Sequence, residues 1–165
     1  MLGPWLLVAP VFDPGGRVRV YLPPGRWFDF WSGQAIDGPR WLQDTVPLDR
    51  LPVYVRDDSL LVRGPEMTRV GQKPWDPVEI DVRVSSSASL NVQGEGAELS
   101  IDAHRDGGEL NVDLAGRGSV VLRFLSPEIE SYAVEGSATN LSEGRSEGNL
   151  VLSLRLDGRA SVHAR

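Results

Sequence analysis

Residues 78–84 read VEIDVRV, with Val78, Ile80, Val82 and Val84 alternating without exception with Glu79, Asp81 and Arg83. Successive side chains of an extended chain point to opposite sides, so this stretch has one apolar and one charged face, as a half-buried strand does. Similar patterns lie on both sides of it. Downstream, Leu90–Val92, Leu99–Ala103, Leu110–Leu114, Val120–Leu125, Tyr132–Val134, Leu150–Leu156 and Ala160–His163 are short apolar or alternating runs. Upstream come Leu6–Phe12, Val18–Leu22, Trp27–Trp31 and Leu51–Arg63, the last read as two strands broken at Asp57-Asp58. Turn chemistry separates the runs at Asp13-Pro14-Gly15-Gly16, Pro23-Pro24-Gly25, Asp106-Gly107-Gly108 and Asp157-Gly158. The polar run Ser85–Ser89 reads as a hairpin loop. Helical periodicity is hard to find anywhere. Many short strands, close turns and no helix imply an all-β protein of antiparallel sandwich or barrel type.

Composition divides the chain in two. Residues 1–74 carry nine basic and eight acidic side chains and residues 75–165 eight and fifteen, so the net charge of −6 comes from the second part. Trp5, Trp27, Trp31 and Trp41 lie in the first quarter, and only Trp75 follows. Between the two compositions run Gly64-Pro65, Gly71, Pro74 and Pro77, a density of breakers that reads as a connector. The expectation is two small antiparallel β-sandwich domains in tandem, residues 1–64 and 78–165, joined by a Pro/Gly connector over 65–77. Sixty-residue domains bury only about 60% of their unfolded surface and are marginal alone. The tryptophan-rich first module gains most from packing against something else, a first sign that the chain is a piece of a larger protein.

Several function classes drop out. With 41% hydrophobic and 24% charged residues the composition is that of an ordinary globular protein. No apolar run approaches the roughly 18 residues of a spanning helix, so no membrane partner is expected. The opening MLGPWLLVAPVF lacks a basic n-region and a small-residue cleavage site, and is not read as a signal peptide. The acidic balance without a basic cluster argues against nucleic acid. There is no cysteine, and His104 and His163, the two histidines, stand 59 residues apart without a metal-ligand pattern around either. Asp57-Asp58 reads as a turn with Ser59, and Glu128 with Glu130, after Pro127, as a solvated edge. Gly94-Glu95-Gly96 lacks the third glycine and the helix of a dinucleotide loop, and Asn140-Leu141-Ser142 is a glycosylation triplet short enough to arise by chance. Nothing assembles a nucleophile, a base and an oxyanion site, and no cofactor or metal is expected.

The aromatics carry more information. In GRWFDFWSG, residues 25–33, an extended chain places Trp27, Asp29 and Trp31 on one face and Phe28 and Phe30 on the other. An exposed indole can stack on the apolar face of a sugar ring. Alternatively, one aromatic face forms the core and the other docks on a neighbouring domain. Trp27, Trp31 and Trp41 are the candidates for either role, with docking favoured because a small sandwich aromatic on both sides has no polar face to offer water.

Three blocks in order then carry a family resemblance: LGPWLLVAPVF (2–12), VRVYLPPGRWFDFWSG (18–33) and LPVYVRDDSLLVRG (51–64). They resemble the region just after the catalytic barrel in glycoside hydrolase family 31, whose α-glucosidases and α-xylosidases carry LG-x-x-LLVAPV, YLP-x-G-x-W-x-x-x-x-x-G and P-x-x-VR-x-x-S/T-L/I. The matching positions are Leu2-Gly3, Leu6 to Val11, Tyr21-Leu22-Pro23, Gly25, Trp27, Gly33, Pro52, Val55-Arg56 and Ser59-Leu60. Pro52–Leu61 is most similar to the bacterial α-xylosidase branch, whereas Pro4 departs from the acidic residue usual after Leu-Gly. The resemblance is strong over residues 1–64 and positional beyond them. It implies a proximal and a distal β-sandwich following a barrel. That barrel would hold the two aspartates, nucleophile and general acid, of a retaining α-glycosidase, whose carboxyls lie about 5–5.5 Å apart. No aspartate here sits in the nucleophile's motif, so no catalytic role carries over, and Met1 is read as an internal methionine of the parent as readily as a start.

The expected partner is thus the catalytic barrel of the same parent chain, with hydrolysis of terminal α-xylosyl or α-glucosyl residues belonging to that barrel. The alternative is a free-standing carbohydrate-binding module that uses Trp27, Trp31 or Trp41 on an α-linked oligosaccharide. A structural adhesion-type protein of tandem sandwiches is the weakest reading, since no repeat is visible. Xylose or glucose preference, compartment and oligomeric state are not legible in these residues.

Overall fold

A computed structural model of the chain describes all residues except Val70, Glu95, Gly96 and Pro127. Part of the Gly94-Glu95-Gly96 segment and the proline before Glu128 therefore lie outside the described residues. Eleven strands and no helix are found among those described: β1 (Leu6–Val8), β2 (Arg17–Asp29), β3 (Ala35–Thr45), β4 (Val53–Arg56), β5 (Ser59–Arg63), β6 (Val78–Arg83), β7 (Ser87–Gly94), β8 (Ala97–Asp106), β9 (Glu109–Phe124), β10 (Tyr132–Ser146) and β11 (Asn149–Ala164). The all-β reading holds. The strands form two sheets in two compact units that divide at Asp57/Asp58. β5, which precedes the Pro/Gly connector in sequence, pairs with β6 from Ser59↔Arg83 to Arg63↔Glu79 and so belongs to the second sheet.

The first unit, Met1–Asp57, is one antiparallel sheet in the order β1-β4-β2-β3. Sequence reading split β2 into two strands around a turn at Pro23-Pro24-Gly25. The chain instead runs through as one strand with a bulge, because Leu22 pairs with Arg40 and Gly25 with Gly38, leaving one extra residue on β2. That residue reverses the side-chain parity. Val20 and Leu22 face the core before it and Trp27 after it, and the bulge bends the hairpin around the cluster Val20, Leu22, Trp27 and Tyr54. Leu7, Ala9, Val18, Ile36 and Leu42 pack against this cluster. The Trp27 indole N–H donates to the Pro23 carbonyl at 2.9 Å, so the bulge also satisfies the one polar atom of the buried ring. β3 escaped the sequence reading because its apolar residues Ile36, Trp41 and Leu42 follow no single period across Gly38-Pro39.

The second unit, Asp58–Arg165, is built on β9 and β11, which pair along their whole length from Leu110↔Ala164 to Phe124↔Leu150. Both keep one alternation parity from end to end, with Leu110, Val112 and Leu114 buried in the first half of β9 and Val120, Leu122 and Phe124 in the second. Each had been read as two strands, with Asp157-Gly158 as a turn. Gly158 instead sits in mid-strand opposite Gly116; both have positive φ, and the ladder runs through them without a register shift. Gly116 has φ +146°, and a Cβ there would lie 2.1 Å from the Glu98 carbonyl oxygen, so only glycine fits. On its other edge β9 changes partner. Antiparallel β8 pairs with Glu109–Arg117, and parallel β6 takes over at Val120–Phe124, the one parallel pairing among the described residues. The fork leaves the Ser119 N–H without a strand partner, and Asp76 Oδ1 accepts it at 2.8 Å. β7 completes the sheet by pairing with β8 from Ser87↔His104 onward. Only Ser85 and Ser86 of the expected Ser85–Ser89 loop are a bend, because Ser87 to Ser89 gain ladder partners on β8.

Hairpin turns follow the expected chemistry where two residues with positive φ are required. Gly107 (φ +56°) and Gly108 (φ +101°) connect β8 to β9, and Glu147 (φ +53°) and Gly148 (φ +83°) connect β10 to β11. Asp57-Asp58 is a turn, as its composition implied. Asp58 has φ +57°, and its Oδ1 accepts the Ser85 and Ser86 N–H groups at 2.9 and 2.7 Å. One charged cluster is buried in this unit: Asp81, 3% exposed, accepts Arg63 Nε at 2.7 Å and Arg123 Nη1 at 3.1 Å.

Candidate functional site

The three candidate tryptophans occupy three different environments. Trp27 is 1% exposed and forms the centre of the first core, so it offers no ring face to a ligand or a neighbour. Trp31 was read as the last residue of a strand that shares a face with Trp27. β2 ends instead at Asp29, whose Oδ1 accepts the Trp31 N–H at 3.1 Å, the Ser32 N–H at 2.7 Å and the Ser32 hydroxyl at 2.8 Å. This carboxylate turn is the local alternative that aspartate offers to continued pairing, and it swings Trp31 out to 49% exposure. The indole N–H of Trp31 reaches the Leu51 carbonyl at 2.7 Å, Phe30 stands edge-on to its ring at 5.2 Å, and the Arg50 guanidinium lies 5.6 Å from the ring centroid. Leu51 and Leu48, exposed in the same loop region, complete this first patch.

Trp41 forms a second patch on β3, where it pairs with Tyr21 of β2; the two rings are 5.2 Å apart and tilted by 51°. Arg19 lies over the indole at 4.3 Å. Some seven residues of β2 separate Tyr21 from the Phe28 end of the hairpin, so the Trp41 and Trp31 patches lie roughly 20 Å apart along it. Phe30 belongs to the aromatic run singled out from sequence, whereas Tyr21, Arg19, Arg50 and Leu51 were not proposed as site residues, because the Tyr21↔Trp41 register exists only once β3 is placed. Neither indole is bare: each has a cation over it and another ring against it, an arrangement seen at protein–protein surfaces as well as at ligand sites.

The remaining polar candidates do not converge. His104 on β8 and His163 on β11 both register with Asn111 of the intervening strand, and His163 Nδ1 meets Asn111 Oδ1 at 2.5 Å. No group of three metal-ligating side chains comes together among the described residues. Glu128 and Glu130 lie outside the strands; Glu128 accepts the Ser126 hydroxyl at 3.2 Å and is 3.9 Å from Arg105. Asn140 donates to the Tyr132 hydroxyl at 3.0 Å, and that hydroxyl in turn donates to Glu143. The bond to Glu143 holds the Tyr132 phenol above its ordinary pKa, and burial followed by the nearby Asp29 charge does the same for Tyr54.

Residues 1–61 match the glycosyl hydrolase family 31 C-terminal domain. The chain is 33% identical over 84 residues to an α-xylosidase of Saccharolobus solfataricus, covering 50% of this chain and 12% of that protein. It is 28% identical over 148 residues to an α-xylosidase of Lactiplantibacillus pentosus, covering 84% and 19%. Its fold is similar to that of a family 31 dextranase of Flavobacterium johnsoniae solved in complex with glucose, with a TM-score of 0.83, 21% identity, and 100% of this chain and 26% of that one covered. The chain spans only 12% to 26% of the length of these proteins. Residues 1–61 are thus a glycosyl hydrolase family 31 C-terminal domain, and the chain as a whole shares the fold of part of the dextranase.

Proposed function

We propose that the chain is a non-catalytic support of an α-glycosidase, docked through the aromatic surface of its first unit onto the catalytic barrel of a longer chain. The observation that carries this reading is the distribution of large exposed apolar side chains. Nine of ten lie in the first unit: Met1, Leu2, Phe12, Tyr21, Phe30, Trp31, Trp41, Leu48 and Leu51, against Leu141 alone in the second. The same unit supplies only five of the 27 buried apolar residues among those described. A unit so short of core, with apolar surface so plentiful, has the balance of a domain that completes its burial against a partner. Hydrolysis of α-xylosyl or α-glucosyl residues then belongs to the barrel, and these two units set its edges.

Sugar stacking by the same tryptophans is less well supported, since Arg19 lies over one ring of Trp41 and Phe30 and Arg50 flank Trp31. The test has two arms. The isolated chain is expected to show no turnover of p-nitrophenyl α-xyloside or α-glucoside. When it is produced joined to a family 31 barrel, the double change Trp31→Ala/Trp41→Ala is expected to lower the midpoint of thermal inactivation without altering KM. Turnover by the isolated chain, or an unchanged midpoint in the joined protein, would refute the proposal.

A further inference from the structure

The outer face of the second sheet carries a groove that the docking reading does not use. Around Gly116 and Gly158 the sheet carries an open trough of about 800 Å³, continuous with a smaller one of about 370 Å³ through Ser100, Ala115 and Arg159. Its side chains are set by register. Asn91, Ser100, Ala115 and Arg159 lie side by side across β7, β8, β9 and β11. The next row in one direction is Gln93, Glu98, Arg117 and Asp157, and in the other Asp102, Asp113 and Ser161. The inward neighbours Leu99, Leu114 and Ala160 are buried, so strand alternation turns all of these polar residues outward. Small residues, Ser100 and Ala115, form the floor, and long planar polar groups form the walls.

Chemistry narrows the occupant. With three carboxylates (Glu98, Asp102, Asp113) against two guanidinium groups (Arg117, Arg159), the lining disfavours a phosphate, a uronate or a nucleic acid. A floor of serine, alanine and glycine without an aromatic ring offers little to an apolar ligand. What remains is a neutral molecule rich in hydroxyls, whose vicinal O–H groups match the paired donors and acceptors of amide, guanidinium and carboxylate side chains. Three such groups stand ready: among the described residues Asn91, Asp102 and Arg159 make no side-chain hydrogen bond or ion pair. The volume suits two or three sugar rings lying along the trough. We propose that this groove of the second unit binds a neutral oligosaccharide, independently of the tryptophans of the first unit. Joined to a hydrolase, such a site would raise the local concentration of a glycan chain near the barrel.

Amide chemical shifts of the 165-residue chain, followed during titration with maltotriose, isomaltotriose and inorganic phosphate, test this. We expect saturable shifts at millimolar trisaccharide, centred on Ser100, Ala115 and Gly158. Arg159→Ala and Asn91→Ala, both changes at exposed positions, should each weaken binding about threefold to tenfold, the loss of one or two hydrogen bonds. Ala115→Leu, which fills the floor without touching the core, should remove binding while the spectrum keeps its dispersion. Absence of a saturable response to either sugar, shifts centred on Trp31 or Trp41, or tighter binding of phosphate than of sugar would each overturn the proposal.

Discussion

At the residue scale the tryptophans separate by burial, and their substitutions should separate in the same way. Trp27→Ala removes the largest side chain of a small core and strands the Pro23 carbonyl, so we expect a loss of about 3–5 kcal/mol in urea unfolding of the first unit. Trp41→Ala in the isolated chain should stay within about 0.5 kcal/mol, since its ring is largely solvated and makes only surface contacts. In the second unit, Asp81→Ala deprives Arg63 and Arg123 of their buried acceptor. Both guanidinium groups keep some access to water, so the expected loss is about 2–3 kcal/mol rather than the full cost of an uncompensated charge. Phenolate absorbance should show Tyr54 and Tyr132 ionising above the ordinary value of 10.0. Their phenols hold the proton more tightly folded than unfolded. The stability they contribute is therefore complete below about pH 10 and is lost as pH climbs through the raised values. A tyrosine titration curve indistinguishable from that of the unfolded chain would contradict this.

At the element scale the long strands depend on local irregularities that a period-two pattern does not reveal. Alternation identified VEIDVRV as a strand and also located both halves of β9 and β11, because each half buries its own apolar set. It failed to join the halves, since glycine inside a strand and glycine in a turn look alike in one dimension. What distinguishes Gly116 is the Glu98 carbonyl lying against it, a neighbour that only the fold supplies. The Pro23-Pro24 bulge was hidden for the same reason, and with it the parity switch that buries Trp27 while Trp41 stays out. β3, largely exposed and irregular in period, is held by pairing with β2 rather than by its own composition. The outer groove was equally invisible, being a product of register across four strands. Gly116→Ala tests this close approach: a Cβ would collide with the β8 backbone, and we expect loss of protected amides along β8 and the first half of β9 by hydrogen exchange. Retention of full protection there would show that the strands tolerate a side chain at the crossing.

At the scale of the whole molecule the two units are unequal. Among the described residues, the second buries 22 of the 27 core apolar side chains, whereas the first exposes nearly all the large apolar ones that remain at the surface. The proposed docking role gives that imbalance a reason, since a barrel in a longer chain would cover the first unit. The most direct measurement is hydroxyl-radical footprinting of the tryptophans, made once on the isolated chain and once on the same chain joined to a family 31 barrel. Trp27, buried in both cases, serves as the internal reference. We expect Trp31 and Trp41 to oxidise readily in the isolated chain and to become protected, relative to Trp27, in the joined protein. Equal oxidation of Trp31 and Trp41 in the two settings would mean that the aromatic surface faces water in the joined protein as well, and the docking role would have to be abandoned.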